Sequence, residues 1–202
     1  MTRLTKEDVE EQLMLASVGI AGAGGLGSNI AMALARAGIG QLVIVDFDIV
    51  EEKNLTRQYF FLDQVGQPKV EALKANINRA SRGVKVYAIN RRLEPGKMAV
   101  PFRKVDVVVE ALDNAETKAQ FIEEILLELP GKPIVAASGV TGWGGCENIY
   151  LRSMSPLYLV EDKHAKPSDE GILLAPKVGL LAHMQANTVL EIILGVENGH
   201  QG

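Results

Sequence analysis

Cysteine is almost absent from the sequence, and basic residues are not in excess. Both features exclude some classes of protein. Cys146 is the one cysteine among 202 residues, which excludes an intrachain disulfide framework and a multi-cysteine zinc site. The formal net charge is −4, which argues against a surface that binds nucleic acid or an anionic membrane. We therefore expect a cytoplasmic protein with no zinc, no nucleic acid partner and no membrane contact.

Long uninterrupted hydrophobic segments are also missing. The segment 1–14 has no apolar run behind a basic flank, so it does not predict a secretory signal. The apolar stretch 178–194 predicts a buried or subunit-facing helix instead of a membrane span, because polar side chains interrupt it. These side chains are His183, Gln185, Asn187 and Glu191. The length favours one medium-sized domain that spans residues 1–202.

Short apolar segments alternate with longer segments of helical character along the chain. Buried strands are predicted at 17–22, 42–46, 84–90, 105–112 and 133–139, with an edge strand at 144–151. Helices are predicted at 5–15, 28–37, 68–81, 114–129 and from about residue 176 onward, whereas the polar segment 156–172 predicts a loop. The alternation predicts an α/β fold with a doubly wound, mainly parallel Rossmann-like sheet and helices on both faces. Ligands of such a sheet bind at the carboxyl ends of its strands.

A glycine-rich turn follows the first predicted strand. Gly22, Gly24 and Gly27 have the spacing of a dinucleotide-binding turn, in which they permit a sharp bend, a close approach to phosphate and tight helix packing. Gly25 is an additional glycine that such a turn does not require. Asp46 ends the second strand about twenty residues later, where a carboxylate accepts hydrogen bonds from ribose hydroxyls. These residues fit NAD and ATP equally well.

The segment after Asp46 distinguishes between NAD and ATP as the ligand. Asp48 follows as a turn or site carboxylate, and Arg57 and Lys69 add two cations beside the nucleotide turn. A dehydrogenase does not need these cations, but a triphosphate under nucleophilic attack needs its charge neutralised. The segment therefore favours ATP.

Asp113 follows the fourth predicted strand, at the edge of the sheet where ligands bind. A carboxylate in this place is suited to hold Mg²⁺ that bridges phosphate oxygens, or to cap the next helix. Glu110 lies three residues earlier, so its side chain is expected on the opposite face of the strand. We favour Asp113 as the metal ligand.

Several motifs together resemble the ThiF/MoeB family, which is related to the ubiquitin-activating enzymes. The motifs are GAGGLG with the segment up to NLTRQ, then GQPK, ALDN and the final segment EGILLAPKVGLLAHMQANTVLEIILG. They occur in the family's order and cover nearly the whole chain. The short length is most similar to a compact ThiF of thiamine biosynthesis.

The resemblance implies an ATP-dependent adenylyltransferase. Its substrate would be the C-terminal glycine of a small ubiquitin-like sulfur carrier protein that ends in Gly-Gly. The implied nucleotide-binding residues are Gly22, Gly24, Gly25, Gly27, Asp46, Asp48, Asn54, Arg57, Gln58, Lys69, Asp113 and Asn114. Among them Arg57, Lys69 and Asp113 would act in catalysis, and Asp113 would hold Mg²⁺. The doubled glycine of the turn is typical of the family's ATP site.

The chain departs from the family pattern in two places. It has neither the CxxC pairs that hold zinc in many members nor the cysteine that several carry before the last helix. Cys146 lies in a strand-like segment and is expected to be a buried structural thiol, so the sulfur donor is expected to be a separate protein. Family members also insert an arginine from an N-terminal helix into the partner subunit's site. Arg3 is the one candidate for this arginine in the sequence. The role would require a homodimer, which the apolar last helix also favours.

Three alternatives remain open at this stage. An NAD-dependent oxidoreductase accounts for the glycine turn and Asp46, but leaves the cations unexplained. A non-catalytic partner of a heterodimeric activating enzyme accounts for the missing loop cysteine. A dehydratase that activates an RNA base through ATP shares the motifs, although the acidic balance disfavours it. Arg91 and Arg92 are expected to be a solvated pair or a contact for an acidic carrier.

Overall fold

Secondary structure in the computed structural model follows the predicted alternation of strands and helices. The structure describes residues 4–166 and 171–195, so Arg3 lies outside the described residues. The helices are α1 (Lys6–Leu15), α2 (Gly25–Ala37), α3 (Lys69–Ala80), α4 (Ala115–Glu128) and α5 (Ala175–Leu194). The strands are β1 (Ser17–Ala21), β2 (Gln41–Asp46), β3 (Lys85–Asn90), β4 (Val107–Glu110), β5 (Ile134–Ser138), β6 (Ile149–Met154) and β7 (Leu157–Asp162).

The seven strands form one sheet in the order β3-β2-β1-β4-β5-β7-β6. Every neighbouring pair is parallel except β6 and β7, which pair in an antiparallel hairpin at the edge. The order reverses between β1 and β4, as in a doubly wound sheet, and this places the ligand crevice at their carboxyl ends. The predicted Rossmann-like fold class is confirmed.

The sequence prediction for residues 144–172 was wrong in part. The predicted loop 156–172 begins with strand β7, and the predicted edge strand starts only at Ile149 because Cys146–Asn148 forms a short 3₁₀ turn. Ser155 and Pro156 lie between β6 and β7 and have the composition of a loop. The apolar run that follows them is short, and it is partly buried by pairing with β5. Such pairing is non-local and leaves no clear periodic signal in the sequence.

Two hydrophobic clusters cover the two faces of the sheet. The larger cluster packs α2, α3 and α5 against one face and includes Leu26 and Val178. The smaller cluster lies on the α4 face and includes Leu93, Met98 and Phe121. All five residues of β1 are buried, as expected for a central strand covered on both sides.

Gly27 holds α2 close to the end of β1. A methyl group added at Gly27 would overlap the carbonyl oxygen of Gly22, which belongs to rigid backbone. We therefore expect Gly27→Ala to lower the free energy of unfolding by about 1–3 kcal/mol, as overpacking does elsewhere. Urea denaturation measures the change. Gly83→Ala is the matched control, because no atom lies within 4 Å of its added methyl group, and equal effects of the two substitutions would contradict the packing role.

Candidate active site

A cavity of about 460 Å³ lies across the carboxyl ends of β3, β2, β1 and β4. It brings together most of the site residues predicted from the sequence. Those that line it are Gly22, Gly24, Gly25, Asp46, Asp48, Arg57, Gln58, Lys69, Asp113 and Asn114. Gly27 and Asn54 are not among the lining residues. Gly27 packs beneath the turn, and the buried Asn54 accepts a hydrogen bond from the Glu51 N–H at 3.0 Å.

The glycine turn exposes the start of α2 to the cavity. Gly22 has a φ of 99°, in the left-handed region that favours glycine. Gly24 is the N-cap of α2 and supplies no side-chain cap, so backbone N–H groups of the first turn are left to bind an anion. A methyl group at Gly25 would lie 3.1 Å from Val178 Cγ1. The additional glycine therefore makes room for the side chain of Val178 beside the turn.

Asp46 is fixed by two backbone hydrogen bonds. Its Oδ2 accepts from the Ala23 N–H at 2.6 Å, and its Oδ1 accepts from the Asp48 N–H at 2.8 Å. The carboxylate is thus oriented before any ligand binds. Each oxygen keeps a further lone pair for a hydroxyl donor.

Lys69 is the first residue of α3, and its ammonium group pairs with Asp48. The Nζ–Oδ2 distance is 2.8 Å, with 7% of the Lys69 side chain exposed and 44% of the Asp48 side chain exposed. Asp48 therefore positions Lys69 and offsets part of its charge. The ammonium group has three donors, so it can still bind a phosphate oxygen while it keeps this pair.

Arg57 and Gln58 also line the cavity. Arg57 is half-buried, and its Nη1 donates to the carbonyl oxygen of Lys53 at 3.2 Å. No carboxylate within the described residues forms an ion pair with it, so its charge is available to an anion. Gln58 is buried, and its Oε1 has no hydrogen-bond partner among these residues. A buried acceptor without a donor is costly, and a bound ligand or hydrated cation would satisfy it.

Asp113 and Asn114 follow β4 and differ in their surroundings. Asn114 caps α4, since its Oδ1 accepts from the Thr117 N–H at 2.9 Å. The alternative in which Asp113 is the cap is therefore wrong. Asp113 is exposed at the cavity and is available to bind a cation.

Glu110 is fully buried and does not line the cavity. Burial raises the pKa of its carboxyl group, whereas the ammonium group of Lys118 at 2.5 Å and the Leu112 N–H oppose that rise. Lys118 also donates to the carbonyl oxygen of Ala137. The ion pair links β4, α4 and β5, so the role of Glu110 is structural.

Phe47, Arg91 and Arg92 also line the cavity, and sequence reasoning missed them. Both arginines are exposed, as the prediction of a solvated pair or a carrier contact requires, but their place in the cavity was not predicted. They follow β3 directly, so the same rule that placed Asp46 at a strand end applies to them.

Two features away from the cavity, an exposed thiol and a buried ion pair, were not predicted from the sequence. Cys146 is exposed, not buried, because it lies in the 3₁₀ turn before β6. A buried ion pair between Lys177 and Asp162 was not predicted; the Nζ–Oδ2 distance is 2.6 Å, and the side chains are 4% and 5% exposed.

Neither a metal cluster nor a membrane-spanning helix is found in the described ranges. Residues 4–166 and 171–195 contain no group of three or more His, Cys, Asp and Glu side chains arranged to hold a metal ion. In the same ranges, the helices are too short or too polar to cross a bilayer.

The chain spans less than half the length of the curated relatives MOCS3 and UBA4. MOCS3 of Sus scrofa, an adenylyltransferase and sulfurtransferase, is 33% identical over 203 residues, which cover 96% of this chain and 44% of the relative. The adenylyltransferase and sulfurtransferase UBA4 of Candida glabrata is 33% identical over 194 residues, with 93% and 44% covered.

Solved structures share the fold at lower identity. The ATP complex of E. coli tRNA N6-threonylcarbamoyladenosine dehydratase, TcdA, superposes with a TM-score of 0.85 at 21% identity, covering 97% of this chain and 92% of that one. E. coli MccB with ATP gives 0.74 at 23% identity, covering 92% and 57%. The ThiF family itself matches residues 1–201. The expected resemblance is thus confirmed, and the chain belongs to the ThiF family.

Proposed function

We propose that this ThiF-family chain is an adenylyltransferase whose acceptor is the C-terminal glycine of a small ubiquitin-like sulfur carrier. One observation carries the proposal: an anion-binding helix start, the cations Arg57 and Lys69, and the exposed carboxylate of Asp113 line one cavity. Family membership and the names of the curated relatives support the adenylyltransferase class. We also propose that residues 1–202 form a single ATP-binding domain of this type.

The charges around the cavity favour ATP over NAD. The N-terminus of α2 is enough to hold one pyrophosphate. Arg57 and Lys69 add two further cations, and a triphosphate has the additional negative charge that they would neutralise. The function of an NAD-dependent oxidoreductase would not explain Arg57, Lys69 or Asp113 in the cavity.

The proposed reaction is a displacement at the α-phosphorus of ATP. One oxygen of the carrier's terminal carboxylate forms a bond to that phosphorus, and the bond to the bridging oxygen of the β-phosphate breaks. Pyrophosphate leaves with the electron pair, and the carrier becomes an acyl-adenylate. Arg57 and Lys69 would stabilise the charge that develops on the phosphates, while Asp46 would accept hydrogen bonds from the ribose. The nucleophile belongs to the carrier, so the enzyme needs no nucleophilic side chain.

Magnesium fits the residues that line the cavity. The oxygen ligands that Mg²⁺ prefers are present as the Asp113 carboxylate, and the unpaired Gln58 Oε1 would accept from a coordinated water. Bound Mg²⁺ would neutralise phosphate charge and orient the leaving pyrophosphate. We propose that Asp113 holds it.

The carrier is proposed to act in thiamine biosynthesis, with sulfur supplied by a separate donor protein. The resemblance to a compact ThiF supports this role, and the single cysteine supports a cytoplasmic setting. The curated relatives carry out sulfur transfer as well, and the matched part covers only 44% of MOCS3. Cys146 lies outside the residues that line the nucleotide cavity, so adenylation itself is proposed to proceed without the thiol.

Cys146→Ser tests the separation of adenylation from sulfur chemistry. We expect carrier-dependent ATP–pyrophosphate exchange to stay within about twofold of wild type, as for a surface substitution away from the site. Alkylation of the exposed thiol with iodoacetamide gives an independent check on the wild-type chain. A large loss of exchange in both experiments would show that the thiol takes part in adenylation.

A homodimer is the proposed assembly. A groove of about 890 Å³ lies between α2, α5 and β6, and apolar side chains such as Leu34, Leu151 and Met184 line much of it. A second copy of the chain would cover this surface. Sedimentation velocity is expected to give the mass of two chains, and the mass of one chain at micromolar concentration would contradict the proposal.

Intact-mass spectrometry of the acceptor tests the substrate class. The chain is incubated with Mg-ATP, inorganic pyrophosphatase and a carrier that ends in Gly-Gly, and an AMP adduct on the carrier is expected. A carrier that lacks the two terminal glycines is the control and should stay unmodified. Modification of both carriers, or of neither, would contradict the proposed acceptor, and modification of tRNA instead would favour the dehydratase alternative.

A further inference from the structure

Ser28 and Asn29 are two polar residues near the start of α2, a helix whose other buried residues are apolar. Ser28 is fully buried and Asn29 is half-buried. Serine and asparagine are unfavourable inside a helix, because their side chains compete for backbone hydrogen bonds. Ser28 Oγ donates to the carbonyl oxygen of Gly24 at 2.7 Å, four residues earlier. Asn29 Nδ2 donates to the carbonyl oxygen of Gly25, also at 2.7 Å, so both side chains bind the glycine turn.

The same two side chains also bind the segment that carries Arg57. Asn29 Nδ2 donates to the carbonyl oxygen of Arg57 at 3.1 Å. Ser28 Oγ accepts from the Tyr59 N–H at 3.0 Å. An amide nitrogen has two donors, and a hydroxyl has one donor and two acceptor positions, so each group makes both of its contacts at once. We name these four hydrogen bonds the turn bridge, since they join the glycine turn to residues 57–59.

The turn bridge places Arg57 beside the start of α2. The Cγ and Nε atoms of Arg57 lie 3.9 and 4.0 Å from the position of a Cβ atom added at Gly25. Within the described ranges the guanidinium group donates one hydrogen bond, to the carbonyl oxygen of Lys53, and forms no ion pair. The Arg57 backbone is held by Asn29 and by the carbonyl oxygen of Asn54, which accepts from the Arg57 N–H at 3.1 Å. The hydrogen bond from Asn29 is thus a direct polar link between the arginine and the glycine turn.

We infer that Asn29 is a positioning residue for Arg57, and that it holds the guanidinium group where this group and the N–H groups of α2 contact the phosphates of one nucleotide. Asn29 itself is not among the residues that line the cavity, so its effect passes through Arg57. A misplacement of about 1 Å can cost about a hundredfold in rate, and loss of this hydrogen bond permits such a shift. The inference rests on the proposed function, in which Arg57 stabilises the charge that develops on the phosphates.

A double-mutant cycle in carrier-dependent ATP–pyrophosphate exchange tests the inference with the full chain. Asn29→Leu removes the amide donors at similar size, and leucine is the better helix former. We expect it to lower the maximal exchange rate about tenfold and to change the KM for ATP less than about threefold, because Arg57 acts on charge that develops in the transition state. In an Arg57→Ala background the same substitution should lower the rate less than about twofold, since residues that act through one another are not additive.

Two further measurements separate positioning from loss of structure. Asn78→Leu makes the same change at an exposed position of α3 outside the cavity, and exchange should stay at the wild-type rate. Hydrogen exchange of the Tyr59 amide in the nucleotide-free protein should accelerate in Asn29→Leu but not in Asn78→Leu. If Asn29→Leu does not fold, Ser28→Ala takes its place in the cycle, because it removes the hydroxyl contacts of the turn bridge.

The remaining outcomes contradict the inference. A further loss of about tenfold in the Arg57→Ala background would show that Asn29 acts independently of Arg57. An unchanged exchange rate in Asn29→Leu would overturn the positioning role as well. In both cases exchange by the wild-type chain leaves the proposed adenylyltransferase intact, whereas a wild-type chain without exchange contradicts both proposals.

Discussion

Asp113→Ala is expected to lower carrier-dependent ATP–pyrophosphate exchange by at least about a hundredfold, the loss typical when one charge-stabilising group is removed from an active site. The Asp113 side chain is exposed, and neither an ion pair nor a hydrogen bond joins it to another described residue. The thermal midpoint should therefore stay close to that of wild type. A stable fold with almost no exchange would place the defect in the chemistry of the site.

The metal assignment has a readout that is independent of turnover. Mn²⁺ binding in the presence of a non-hydrolysable ATP analogue, followed by electron paramagnetic resonance, is expected to weaken in Asp113→Ala. Asp63→Ala removes a second exposed carboxylate outside the cavity and is the matched control. Full exchange with unchanged Mn²⁺ binding in Asp113→Ala would refute the role of Asp113.

Lys177→Met is expected to produce a larger loss of stability than either Gly27→Ala or the rupture of a surface ion pair. It leaves the Asp162 carboxylate buried without its cation, and breaking such a pair costs about 3–5 kcal/mol. Burial alone would raise the pKa of Asp162, and the hydrogen bonds from Lys177 and from the His164 N–H outweigh that effect and lower it. Lys177 Nζ also donates to the carbonyl oxygen of Gly144 at 2.9 Å, so the substitution loosens the loop before β6 as well.

Chemical denaturation measures this loss and separates its causes. Lys6→Met breaks an exposed i,i+4 pair with Glu10, and we expect it to cost less than about 1 kcal/mol. The double variant Lys177→Met/Asp162→Asn removes the buried charge and should recover much of the stability lost in the single variant. If Lys177→Met proves as mild as Lys6→Met, the buried pair contributes no more than a surface pair.

The sequence predicts the cavity well where residues directly follow a strand or start a helix. Asp46 ends β2 and Asp113 follows β4 closely, so the rule that ligands bind at strand ends locates both. Lys69 begins α3 directly after a proline. Arg91 and Arg92 follow β3 as Asp113 follows β4. Both are exposed, and two adjacent arginines in the sequence resemble a solvated surface pair, so their place in the cavity was not predicted.

Contacts between distant segments escaped sequence reasoning. The pair of Lys177 and Asp162 joins α5 to the end of β7, and no periodicity reveals which lysine meets which carboxylate. The segment around Cys146 resembles a strand and so predicts a buried thiol, but the adjacent glycines Gly144 and Gly145 have positive φ and form a turn there. The sequence also does not reveal that the Asn54 Oδ1 accepts a hydrogen bond from the Glu51 N–H.

ATP–pyrophosphate exchange tests the central claim most directly. The full chain is incubated with Mg-ATP and labelled pyrophosphate, with and without a small carrier that ends in Gly-Gly. Adenylation predicts that label enters ATP only when the carrier is present, because the reverse reaction needs the acyl-adenylate. Mg-ATP binding without exchange would indicate a non-catalytic partner or a different acceptor. Stabilisation by NAD with neither exchange nor Mg-ATP binding would contradict the adenylyltransferase.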